Sequence, residues 1–77
     1  MLWFYNKLSE DTNVVIYKYG WNTEETTGQL IYDKNSKDIT IMKIADNDTE
    51  FGAKWAASHL PEVIQKGYSE NGRVQIG

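Results

Sequence analysis

Between Asn13 and Asn22 the chain alternates with period two. Val15, Tyr17, Tyr19 and Trp21 fall on one side of a strand, and Val14, Ile16, Lys18 and Gly20 on the other. The pattern predicts a strand over 14–21 whose one face is aromatic. Upstream, residues 2–6 (Leu2, Trp3, Phe4, Tyr5 and Asn6) put apolar side chains on both faces, as in a strand covered on two sides. Residues 8–13 are rich in turn formers. A polar loop over 22–27 ends at Gly28 and leads to a third strand over 29–33. Residues 34–37 read as a tight hairpin connection. In the fourth strand, 38–45, Ile39 and Ile41 share one face while Met42 and Ile44 share the other. That change of phase predicts either a bulge or burial on both sides.

Helical signals follow. Asp48 is the expected N-cap, Glu50 suits the positive end of the helix dipole, and Gly67 supplies a stop after about Lys66. Pro61 lies inside and should kink the helix or divide it. Wound at 100° per residue, the apolar positions from Phe51 to Ala57 span roughly 240°, where a core-facing stripe needs little more than about 100°. Ala53, Ala56, Ala57, Leu60 and Ile64 form a stripe of mostly small residues suited to lie against the large rings of strand two. Phe51 and Trp55 fall on the flank at i and i+4. Two arrangements compete for them. Either the Pro61 kink turns them in to cap the core, or they stay partly exposed as an aromatic anchor.

After a turn at Asn71 and Gly72, residues 73–76 alternate as a last strand. The chain therefore reads β-β-β-β-α-β. It is expected to form one small α+β domain over 1–77, an antiparallel meander of possible order 5-1-2-3-4 with one helix on one face. Strand one would then be interior to the sheet.

Composition narrows the function classes. A chain of 77 residues buries only about 60–65% of its unfolded surface, and it has no cysteine to staple a small core. Ten aromatic residues fit the need for large core side chains. The net charge is −3, and the eight Lys and Arg residues form no basic face, which argues against nucleic-acid binding. No apolar run approaches membrane-spanning length, and the first residues lack the pattern of a signal peptide. A cytoplasmic location is expected.

Catalytic chemistry finds little footing. His59, the single histidine, lies on the helix between Trp55 and Val63, where a flank or interior role is expected rather than a base. Ser58 and Ser69 lack an activating partner, and the six glycines form no phosphate-cradling loop. Residues 46–52 begin like a calcium loop, but the turn glycine is one place late and Ala57 stands where the closing glutamate belongs. No catalytic residue, cofactor site or metal site is therefore assigned.

What remains is surface. The topology gathers Glu24, Glu25, Asp46, Asp48, Glu50 and the carboxylate of Gly77 at one end. Glu10, Asp11, Asp33 and Asp38 mix with Lys34, Lys37 and Lys66 at the other. A helix on one face also leaves the other to be exposed or covered by a second copy, and the face bearing Trp3 or Tyr5, Ile16 and Ile31 is the candidate. The expected function is a small non-enzymatic interaction or accessory module that self-associates, with a homodimer as its simplest form. Phe51, Trp55, Ile16 and Ile31 are its contact residues. Two alternatives stand beside it. One is a small-ligand binder that stacks aromatics and adds carboxylates; the other is an acidic neutraliser of a basic toxin or nuclease.

Overall fold

The computed structural model describes residues 2–46 and 48–75. The strands are β1 (Leu2–Glu10), β2 (Val14–Trp21), β3 (Gly28–Asp33), β4 (Ile39–Lys43) and β5 (Asn71–Gln75), and the helix α1 (Glu50–Gln65) lies between β4 and β5 in the chain. All neighbours pair antiparallel in the order β4-β3-β2-β1-β5, which is the expected meander with the last strand returning beside the first. Ile76 and the carboxylate of Gly77 lie outside the described residues.

Alternation along β1 to β3 sends Trp3, Tyr5, Val15, Tyr17, Tyr19, Trp21, Leu30 and Tyr32 toward the helix, where all are buried. The helix answers with Ala53, Ala56, Leu60 and Val63, also buried, and with Ala57 and Ile64 at the margin. Small helical residues let the backbone approach the rings closely, so large and small side chains interlock. Burying each ring stabilises the fold by about 2–3 kcal/mol, and their number compensates for the short chain.

Glycine sets the rings in place at two points. Tyr19 pairs with Gly28 and Tyr5 with Gly72 across neighbouring strands. A Cβ at Gly28 would overlap the Tyr19 ring, and one at Gly72 would lie 2.6 Å from the Tyr5 hydroxyl. Each tyrosine therefore lies over a bare stretch of the adjacent strand.

Several expectations need correction. β1 does not stop at Asn6; it runs to Glu10, with an irregularity between Lys7 and Ser9 that leaves Leu8 54% exposed. The turn itself is short: Asp11 Oδ1 accepts the N–H groups of Asn13 at 2.7 Å and Val14 at 2.8 Å. Asn71 and Gly72 are strand, not turn. The reversal comes earlier, at Gly67 (φ 101°) and Tyr68 (φ 56°). Pro61 does not divide α1, which is continuous over its sixteen residues. Trp3 and Tyr5 both face the helix, because residues two apart share a face; Leu2 and Phe4 take the opposite side. In β4 the change of phase is a bulge. Leu30 pairs with Ile41 but Gln29 with Lys43, so Met42 is the extra residue and is 57% exposed.

Candidate functional site

The strand directions bring the end of β2, the loop after β4 and the start of α1 together. Thr49 caps the helix, its Oγ1 accepting from Gly52 N at 3.3 Å. Asp48, expected as the cap, has a different task. Its Oδ2 accepts from the Tyr19 hydroxyl at 2.9 Å and from Trp21 Nε1 at 3.1 Å, while Oδ1 accepts from Thr49 N at 2.8 Å. The Tyr19 oxygen in turn accepts from Ala45 N at 3.1 Å. Gly52 makes this possible, since a Cβ there would overlap the Asp48 carboxylate. One carboxylate thus fastens the sheet's ring tips to the first turn of the helix. Burial pushes the Tyr19 phenol up to about 12, opposed by the bond from Ala45 and reinforced by Asp48.

Beside that knot opens a cleft of about 510 Å³ lined by Trp21, Asn22, Thr23, Asp48, Phe51, Gly52 and Trp55. Phe51 is 73% exposed and Trp55 is 45% exposed, so the helix keeps these rings outside the core. Their centroids lie 6.3 Å apart at 30°. Trp55 then meets His59 edge-on at 6.1 Å, and His59 lies 6.4 Å from the buried ring of Trp3. His59 occupies the helix flank, linking the exposed pair to the core. The Nε1 of Trp3 has no hydrogen-bond partner among the described residues.

Of the acidic residues expected to share one end, Glu24 and Glu25 lie in the loop after β2, Asp46 and Asp48 in the loop after β4, and Glu50 opens α1, and they are unequally free. Asp46 pairs with Lys43 at 3.4 Å and Glu50 with Lys54 at 3.6 Å. Asp48 is held by the ring donors described above. Glu24 borders a second groove, of about 490 Å³, formed with Phe4, Tyr5, Asn6, Asn71, Gly72 and Arg73. Glu25 contributes its carbonyl, which lies 2.6 Å from where a Cβ on Gly20 would be. The 22–27 loop thus folds back over the end of the open sheet face, and Thr26 Oγ1 accepts from Asn6 Nδ2 at 3.2 Å. Ile16 and Ile31 pair across β2 and β3 on that open face, each half-buried by its neighbours. They stand on the side of the sheet away from Phe51 and Trp55, so the contact residues read from the sequence form two surfaces.

Comparison with protein-family models, curated proteins and solved structures found no match. No helix among the described residues is long and apolar enough to cross a membrane. Sequence reasoning missed the role of Asp48. The usable signal was the aromatic face itself, because buried Tyr and Trp tips require polar partners and an acid opening the adjacent helix can supply one.

Proposed function

We propose that this chain is a small, non-enzymatic interaction or accessory module of the cytoplasm that holds a partner protein on the ledge formed by Phe51 and Trp55. The supporting observation is their exposure, 73% and 45%, in a fold that buries eight other aromatic or aliphatic side chains of the sheet's inner face. Large rings kept in water at the rim of a cleft match the residues that dominate interface energetics, where few side chains carry most of the affinity. Nucleic acid and membrane are not the intended partners. Affinity capture with the wild-type chain and with Phe51→Ser/Trp55→Ser tests the reading. Partners held by the wild type should be lost by the variant, while circular dichroism shows the fold retained. Identical partner sets for both would contradict it.

A second reading, self-association, draws on the other surface. Ile16 and Ile31 face each other on the side of the sheet that the helix leaves uncovered, where a second copy would dock. Light scattering on the wild type and on Ile16→Lys/Ile31→Lys addresses it: a dimer reduced to monomer supports the reading, and a monomeric wild type at high micromolar concentration removes it.

A further inference from the structure

We propose that the cleft between the end of β2 and the start of α1 receives a cationic side chain, a lysine ammonium or arginine guanidinium carried by a basic segment of the partner protein. The proposal rests on the interaction reading above and specifies the chemistry of its partner.

Three features of the cleft argue for a cation. It is bordered by the exposed rings of Phe51 and Trp55, and aromatic faces attract organic cations, while Trp21, 8% exposed, turns its N–H edge to Asp48. Its polar centre is the Asp48 carboxylate, fixed by the Tyr19 hydroxyl and Trp21 Nε1 and without an ion-pair partner among the described residues. A carboxylate has about four acceptor sites, and Tyr19, Trp21 and the Thr49 N–H take three, which leaves one for another donor. Because the group is already oriented, a ligand need not spend its binding energy ordering it. Finally, the lining holds no lysine or arginine; Asn22 and Thr23 are its other polar members.

The helix N-terminus would ordinarily favour an anion. Here the anion is supplied by the chain itself: Asp48 lies so close over the first turn that a Cβ at position 52 would displace its carboxylate. An incoming phosphate or carboxylate would meet that charge, whereas an ammonium would be drawn to it. Phe51 and Trp55 line the cleft and are exposed, so the methylene stem of a lysine or arginine can rest on their rings while its head reaches Asp48. This geometry suits a side chain projecting from a polypeptide better than a compact free ion.

The probes are three blocked pentapeptides, differing only in a central lysine, arginine or acetyl-lysine, together with free tetramethylammonium. The readout is the indole N–H resonances of Trp21 and Trp55 in the full chain. The lysine or arginine peptide should shift both resonances saturably, and acetyl-lysine, which lacks the charge, should bind about tenfold more weakly or worse. Trp55→Ala, a substitution at an exposed position, should weaken the cationic peptide to a similar degree. Equal binding of the acetyl-lysine peptide, no saturable shift with either cationic peptide, or unchanged affinity in Trp55→Ala overturns the proposal. Tetramethylammonium binding as tightly as the peptides overturns the assignment to a partner's side chain. Any of these failures leaves the Phe51–Trp55 ledge to be judged by the capture experiment alone.

Discussion

Asp48 makes the clearest demand at the scale of single residues. It satisfies two buried ring tips at once, and the Tyr19 hydroxyl passes the connection on to Ala45 N. Tyr19→Phe removes a donor and an acceptor while nearly keeping the ring's shape, so it should cost about 1–3 kcal/mol in urea unfolding. Gly28→Ala should also destabilise, through packing rather than polarity, because its methyl would displace the same ring. The two phenols of β2 set an alkaline limit. Burial raises both Tyr17 and Tyr19 from 10.0 to about 12. The folded state therefore prefers the protonated form more than the unfolded chain does. Their contribution is intact below pH 10 and is lost as pH rises through about 12, so unfolding followed by circular dichroism should show stability falling across that interval.

Among the elements, the helix ends and the hairpins carry separable costs. Gly67 follows the cap of α1 with φ 101°, and a Cβ there would meet nothing within 4 Å. Gly67→Ala should therefore lose about 1 kcal/mol from backbone conformation alone, and a smaller loss in thermal unfolding would place the helix stop elsewhere. The β1–β2 hairpin gives the acid side of the pH profile. Glu10 is held low by its bonds to Lys34 and Lys7, and Asp11 by the backbone N–H groups of Val14 and Asn13. Their support is present above the ordinary carboxylate range and disappears as pH falls through their lowered values. β2 was legible because its alternation is long and clean, β3 because Gly28 and the 34–37 turn bracket it, and the helix by Glu50 and Gly67 near its ends. β1 was cut short because Ser9 and Glu10 resemble turn residues, and the pairing that keeps them extended is long-range. Asn71 and Gly72 misled for a related reason: that glycine clears space for Tyr5 instead of making a turn.

For the molecule as a whole, one layer of strands buries its rings under one helix and leaves two unlike surfaces. The open face mixes Ile16 and Ile31 with Asn6, Lys18 and Gln29, and the 22–27 loop covers one end of it. The cleft beside Phe51 and Trp55 is set apart by its exposed rings and the fixed carboxylate of Asp48. The sequence placed the Phe51–Trp55 pair on the helix flank, but periodicity alone left both inward and outward positions open. The charge in the cleft was illegible because it depends on Asp48 turning toward β2 instead of capping the helix. Phe51 is 73% exposed, so Phe51→Ser should change stability by no more than about 0.5 kcal/mol, whereas Trp55, 45% exposed, has more of its ring covered and Trp55→Ser should cost about 1 kcal/mol. The most direct test of the interaction surface places a photoreactive benzophenone side chain at position 51 in the cells that make the protein. A covalent adduct to another polypeptide, absent when the probe sits at Glu62 on the exposed helix, is the expected result; no adduct from position 51, or the same adducts from both positions, would contradict the account.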